Sequence, residues 1–281
     1  MRILNATSKI RKMQANDENG PPAARPDTVS ALERGIAVLR CFTETRRVLT
    51  STELSRLTGV PRPTVTRLAT TLVMLGLMKQ EPEGDRFMLG PGVVSLARVF
   101  LAGLDVRAIA RPRMQALAEE VGGSVYLALP DGLDMVLVEA CRPRTTMLAP
   151  RLDVGSRAPI ANSALGRAYL WALAPEERTW VLESLRLARG SDWAALEPPM
   201  KRALDDGDKL GYLISAGDFH REINSVSVPL IGPNGEVMAL NCGTAAFVFT
   251  EEHLRAEIAP RLIAMAQALA ADIGGHVPQP R

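Results

Sequence analysis

Residues 50–68 read TSTELSRLTGVPRPTVTRL, and the order of residue types in that stretch decides the N-terminal fold. Thr50-Ser51-Thr52-Glu53 has the pattern of a capping box, in which the Thr50 hydroxyl accepts a helix N–H and the Glu53 carboxylate reaches back. Leu54 and Leu57 follow on one face, and Gly59 supplies the residue that ends a helix. Val60-Pro61 makes a tight turn. The next helix starts near Pro63, because proline suits the first helical position and disfavours α geometry at Arg62 before it. Val65, Leu68, Leu72 and Leu75 share one face of this helix. At about 100° per residue, Thr66, Arg67 and Thr70 then project from the opposite face, with Arg62 and Thr64 at the exposed first turn.

Working outward, Leu32, Ile36, Leu39 and Phe42 recur at helical spacing from Ser30 onward and form an apolar stripe. Gly76 closes the helix that carries the Thr/Arg face. Leu77–Gln80 and Arg86–Leu89 then flank the turn residues 81–85 as a short hairpin. Three helices and a hairpin in about 60 residues make a winged helix-turn-helix. The chemistry agrees with that layout. A helix that reads DNA needs short hydroxyls for close approach and arginine for guanine edges or phosphate, and Arg62, Thr64, Thr66, Arg67 and Thr70 supply both. Ser51 and Thr52, at the start of the preceding helix, are placed for a backbone phosphate, and Arg86 in the hairpin for another. Each feature alone also fits an ordinary surface helix or a solvated hairpin charge; the joint order favours DNA.

Composition sets the outer bounds. With 281 residues the chain is long enough for two domains, and at 47% hydrophobic it can build cores. Residues 1–90 carry 14 Lys and Arg against 9 Asp and Glu, net +5, while the remaining residues carry 19 against 22, net −3. The N-terminal part is the better partner for phosphate. Aromatic residues are scarce at 4%, which argues against a platform that stacks single-stranded bases. Cys41, Cys141 and Cys242 lie far apart and fit reduced thiols in a cytoplasm; with three histidines, neither a metal site nor a disulfide framework is expected. There is no apolar run of membrane-spanning length and no signal-peptide core.

The expected organisation is a disordered tail over 1–27, the DNA-binding domain over 28–90, a linker helix over 91–106 (Val93–Val106 amphipathic), a second domain over 107–275, and a C-terminal tail over 276–281. In the second domain Val106–Val121 reads as a helix, and Ser124–Leu129 with Leu133–Glu139 as a hairpin turning at Asp131-Gly132. Thr146–Arg151 reads as a third strand. Helices follow over Ser163–Leu173 and Pro175–Leu187, then a stretch broken by Pro198-Pro199. Strands over Tyr212–Ala216, Ile223–Ile231 and Glu236–Gly243 precede a final helix, Glu251–Ile273. That is an α+β domain with a mainly antiparallel sheet.

These residues resemble the IclR family of bacterial regulators. The carriers are SALERGIAVL (30–39), TELSRLTGVPRPTVTRL (52–68), TLVMLGLM (71–78) and RFMLG (86–90), then APIANSALGRA (158–168), LGYLIS (210–215) and VPLIGPNGEVMALNCG (228–243). The resemblance implies a winged helix-turn-helix, a linker helix and a GAF/PAS-like effector-binding domain. It implies a dimer or tetramer on double-stranded operator DNA, in the cytoplasm and on the nucleoid when bound, answering to a small organic acid or aromatic metabolite, without cofactor, metal or membrane. The matching effector positions are Asn162 and Ser163 at a helix cap, the backbone N–H groups of Ala164 and Leu165, then Ser215, Ser225, Cys242 and Thr244. The helix-terminus positions also fit carboxylate binding on physical grounds. Some relatives place an acidic residue where this chain has Ser215. Arg142 and Arg144 are possible helpers for an anion, or a solvated loop. Two other functions stay open at this point: a DNA-binding protein whose C-terminal domain only oligomerises, and an enzyme using Asp218, His220 and Cys242, for which no nucleophile elbow or phosphate loop speaks.

Overall fold

The computed structural model describes residues 28–82, 84–144 and 152–280, which form two compact units divided between Gly103 and Leu104. The first contains α1 (Ser30–Leu39), β1 (Leu49–Thr50), α2 (Ser51–Thr58), α3 (Arg62–Met74), β2 (Met78–Gln80), β3 (Arg86–Leu89) and α4 (Gly92–Ala102). The capping box forms as its residues require. Thr50 N–H donates to Glu53 Oε2 at 2.8 Å, and Glu53 N–H donates to Thr50 Oγ1 at 3.2 Å. These Thr50 bonds hold the Glu53 carboxyl below its ordinary pKa. Gly59 ends α2 at φ +70°. Helix α3 begins at Arg62, one residue before Pro63, because Pro61 already supplies the extended cap at ψ 137°. Val38, Leu54, Val65, Ala69, Met78 and Phe87 make the core.

Two features differ from the sequence reading. Leu49-Thr50 forms a short strand against β3, giving a three-stranded sheet in the order β1-β3-β2. Helix α1 buries Gly35 and Val38 rather than the stripe through Leu32 and Ile36, which are 65% and 41% exposed. Helix α4 buries no residue at all within this chain.

The second unit contains α5 (Asp105–Val121), β4 (Ser124–Asp131), β5 (Asp134–Cys141), β6 (Arg157–Pro159), α6 (Ala164–Ala172), α7 (Pro175–Arg189), α8 (Trp193–Leu210), β7 (Leu213–Ala216), β8 (Ile223–Ile231) and β9 (Val237–Ala245). A C-terminal helical run follows: α9 (Glu251–His253), a π-turn (Leu254–Ile258) and α10 (Ala259–Ile273). The six strands pair antiparallel in the order β6-β5-β4-β9-β8-β7. One face packs Tyr126, Leu137 and Ala239 against Trp171 of α6, Leu185 of α7 and Leu204 of α8; α5 and α10 cover the other.

The expected linker helix over 93–106 breaks at Gly103-Leu104, where Leu104 has the non-helical angles φ −100° and ψ 83°, and α5 restarts at Asp105. Pro198 and Pro199 lie inside α8 and do not break it; burial of Trp193, Met200 and Leu204 outweighs the two lost N–H donors. The strand expected at Thr146–Arg151 and the tail at 1–27 lie outside the described residues. The sheet edge beside β5 is β6, whose Arg157 reaches Asp134 at 2.9 Å and Asp131 at 2.7 Å across the hairpin turn. The expected tail at 276–281 starts with structure: His276 exchanges two backbone bonds of 2.9 Å with Ile231, and Val277 is buried.

Candidate DNA-reading surface and effector cavity

Thr52, Thr66, Arg67, Thr70 and Arg86 are exposed, and Thr64 is half-buried. The Thr66 and Thr70 hydroxyls donate to the Arg62 and Thr66 carbonyls at 3.1 and 2.9 Å. Their protons are engaged within the helix, and the oxygens remain to accept. Ser51 departs from expectation. It is 1% exposed, and its hydroxyl donates to Asp85 Oδ2 at 2.5 Å while accepting from Arg62 Nε at 2.9 Å. Arg62 Nη2 closes the triangle on Asp85 at 3.0 Å. Ser51 is therefore a strut between α2, α3 and the hairpin, and its hydroxyl is engaged rather than free for a phosphate. Arg62 keeps a 60% exposed side chain, but part of its charge is answered by Asp85. The signal for Asp85 was its position: a carboxylate in the hairpin turn of a basic surface.

In the second unit a small cavity opens where α6 meets the sheet. Ser163, Ala164, Leu165, Ser215 and Ser225 line it, together with Tyr126, Asn241 and Gly243, and Leu152 and Phe219 close it from flanking loops. Helix α6 reaches this position because Gly166 has no side chain: a Cβ there would lie 2.2 Å from Ile160 Cα and 2.4 Å from its carbonyl oxygen. Ser163 caps the helix, accepting from Gly166 N–H at 3.0 Å and donating to the Pro159 carbonyl at 2.7 Å. The N–H groups of Ala164 and Leu165, in the first turn, have no acceptor within the helix. Asn162 stands behind the wall, its carbonyl accepting from Ser215 Oγ at 3.3 Å and its Nδ2 donating to the Asp218 carbonyl at 3.1 Å. Arg167, its side chain 4% exposed, bonds the Ile214 carbonyl and Asp218 Oδ2, both at 2.7 Å, and so ties down the loop that carries Phe219.

Cys242 and Thr244 are not part of this wall. Ser225 pairs with Gly243 and Val226 with Cys242, and side chains alternate along a strand. The residues of β9 that face the cavity are therefore Asn241 and Gly243. Cys242 faces the α5/α10 side, where its sulfur would lie 3.3 Å from a Cβ on Gly123. Thr244 pairs with Asn224, which is tied to the Phe249 carbonyl at 2.8 Å. Asn241 donates to Ser227 Oγ at 2.8 Å and to the Val226 carbonyl at 3.1 Å. Burial pushes the Cys242 thiol up to about 12, so it is no nucleophile at neutral pH. Asp218 is engaged by Arg167, and His220 packs on Phe219 at 4.0 Å between ring centroids. The Asp218/His220/Cys242 set does not assemble. Among the described residues no cluster of His, Cys, Asp and Glu has the makings of a metal site, and no helix is long and apolar enough to cross a membrane.

The free volume of the cavity is about 30 Å³, room for one or two water-sized groups. A larger ligand has to move a wall.

Comparison with known proteins agrees with both halves. Residues 31–82 match the IclR helix-turn-helix domain, and residues 99–271 match the bacterial transcriptional regulator IclR C-terminal domain. The HTH-type transcriptional regulator TsaQ1/TsaQ2 of Comamonas testosteroni is 33% identical over 72% of this chain and 73% of its own length. The Pca regulon regulatory protein of Pseudomonas putida is 26% identical over 89% and 86%. An IclR family regulator from Brucella abortus, solved by crystallography, superposes with a TM-score of 0.81 at 38% identity, covering 88% of this chain and 94% of that one. These relatives are transcriptional regulators rather than enzymes, and the chain belongs to the IclR family of bacterial transcriptional regulators.

Proposed function

We propose that this regulator binds a palindromic operator through the exposed face of α3 and switches its occupancy when a small carboxylate, aliphatic or aromatic, enters the α6 cavity. The observation that carries the effector half is the N-terminus of α6, whose first residues Ala164 and Leu165 line a cavity that Ser215 and Ser225 also line. A helix N-terminus favours an anion by its dipole and by its free donors. For DNA, Thr52, Thr64, Thr66, Arg67, Thr70 and Arg86 are the contacts, with Arg62 sharing its charge between Asp85 and phosphate. The target is a catabolic operon read in the cytoplasm, as the relative that regulates the Pca regulon supports. The active form is a homo-oligomer. Leu32 on α1 and Leu96 and Val99 on α4, 63–72% exposed, are the apolar surface it would cover; a domain whose first helix shows its stripe to solvent has a partner for it.

The test is binding of the full-length protein to DNA from upstream of its own gene, across a salt series, with and without a panel of carboxylates. Specific binding altered by one compound supports both halves. Specific binding that no compound moves removes the effector half and favours a C-terminal domain that only oligomerises. Weak, steeply salt-dependent, sequence-indifferent binding removes the operator assignment.

A further inference from the structure

The start of α6 is one polar part of the cavity, and a second lies behind another stretch of wall. Arg142 follows β5, and its side chain reaches Leu152 and Asp153 and stands beside the wall residue Tyr126. Its Nη2 donates to the Leu152 carbonyl and to Asp153 Oδ1, the latter at 2.9 Å. The guanidinium also stands beside the hydroxyl of Tyr126, which burial pushes up in pKa while Ser124 and Arg142 act the other way. Tyr126 and Leu152 are both wall residues. Gln115 Nε2 fixes the Arg142 backbone by donating to its carbonyl at 2.8 Å. The Arg142 Nε is buried and has no acceptor among the described residues.

A cationic N–H buried without an acceptor is unfavourable, and an anionic oxygen is what relieves it. The carboxylate now opposite Arg142 belongs to Asp153, whose side chain is 68% exposed. Ion pairs of that exposure contribute little, so this one is easily exchanged. The exchange is linked to entry. The cavity is too small for an effector until a wall residue moves, and Leu152 is the wall residue adjacent in sequence to Asp153. A displacement of Leu152 would carry Asp153 with it and turn the guanidinium, its side chain 34% exposed, toward an incoming ligand.

Resting on the effector reading above, we propose that Arg142 and Tyr126 form a second recognition pole that takes an acidic group of the effector in exchange for Asp153. The effector is then a diacid, one anionic group at the start of α6 and the other at Arg142.

Calorimetry on the full-length protein tests this with matched pairs: adipate against hexanoate, glutarate against pentanoate, terephthalate against benzoate. At least one diacid should bind about tenfold to a hundredfold more tightly than its partner, the range of a charge-assisted hydrogen bond. Arg142→Gln should abolish that preference, and Arg142→Lys should keep part of it. Asp153→Asn, which removes the competing carboxylate, should tighten diacid binding, an outcome that damage to the fold does not produce. Equal binding of every matched pair, or a preference that survives Arg142→Gln, overturns the second pole. If diacids as well as monoacids bind wild type and Arg142→Gln alike, the effector cavity stands and the second pole falls. If no acid of either kind binds, both fall.

Discussion

Replacing Asp85 with asparagine separates what Arg62 does for the fold from what it does for DNA. In the unbound domain the Asp85 carboxylate accepts from Arg62 and from Ser51. Asparagine keeps an oxygen acceptor at that place, so the Ser51 hydroxyl, 1% exposed, is not orphaned. The ion pair it loses is a surface one, with side chains 60% and 38% exposed, and such pairs contribute about 0–1 kcal/mol. The stability cost is therefore below about 1 kcal/mol, a fall in Tm of less than about 4–8 °C for a unit of this size. On DNA the effect has the opposite sign. One negative charge leaves the binding face and one guanidinium is released to the phosphates, equivalent to about one added contact. The slope of log K against log salt should steepen by about 0.9, so the variant's advantage should shrink about 3.5-fold between 50 and 200 mM salt. Fluorescence anisotropy on a labelled duplex reads both quantities, and the slope is measurable even on non-specific DNA. Arg62→Ala should do the reverse and flatten the slope. Weaker binding by Asp85→Asn at every salt concentration, with unchanged slope and unchanged Tm, would refute the reasoning. It would show that the Ser51-Arg62-Asp85 triangle is itself the geometry that DNA requires.

Gly166→Ala drives a methyl group to 2.2 Å from backbone that cannot swing aside, so it should cost at least about 3 kcal/mol, a fall of about 6–12 °C in the effector unit; a Tm within 2 °C of wild type would mean that α6 is free to slide. Cys242 gives a pH dependence. Its thiol is raised from 9.0 to about 12 in the fold, so its contribution is intact below pH 9 and is lost as pH rises toward 12, up to about 4 kcal/mol. Chemical denaturation across that window should show a shallower decline for Cys242→Ala than for wild type, and parallel declines would show that the thiolate is not excluded. Val99→Glu, at a position 72% exposed within the chain, should leave the Tm of a monomer unchanged but shift the sedimentation coefficient toward smaller species; an unchanged distribution would remove α4 from the oligomer contact.

The parts of the fold legible in the sequence are those set by local chemistry. Thr50, Glu53 and Gly59 mark the ends of α2 by their own hydrogen bonds and backbone preference, and the structure keeps them in place. Gly132 and Gly235 mark two sheet turns in the same way, at φ +63° and +80°. What was not legible depends on partners distant in sequence. Ser51 has the composition of a phosphate contact, but Asp85, thirty-four positions away, takes its hydroxyl. Leu32 and Ile36 have the spacing of a core stripe, but the core selects Gly35 and Val38. Strands β1 and β6, of two and three residues, are too short to leave a periodic signal. Along β9 the error was one of parity. Cys242 and Thr244 do share a face, as their spacing requires, but spacing alone does not say which face. The β8 register answers that, because Ser225 pairs with Gly243. Asn241 was therefore missed for the same reason that Cys242 was included.

For an effector to alter DNA binding, its binding free energy has to reach the start of α5, where the chain leaves this unit. Tyr126 in the cavity wall pairs with Ala140 of β5. The neighbouring residue, Glu139, has a side chain 4% exposed on which Arg107 and Arg111 of α5 converge, at 3.1 and 2.9 Å. Glu139 Oε1 also accepts the Ala140 N–H at 3.2 Å. Separating a buried carboxylate from its cations costs about 3–5 kcal/mol. That exceeds the 1–3 kcal/mol at which allosteric couplings typically operate. A displacement of Tyr126 is thus transmitted more cheaply by moving β5 and the first turns of α5 together than by breaking the Glu139 contacts. Arg107 lies three residues beyond the break at Leu104, so this rigid connection ends where the helical linker does. The break at Gly103-Leu104, rather than a continuous helix over 93–106, is then where the chain has to convert a movement in the effector unit into a change at α4. The size of that change is bounded by the difference in effector affinity between the two arrangements.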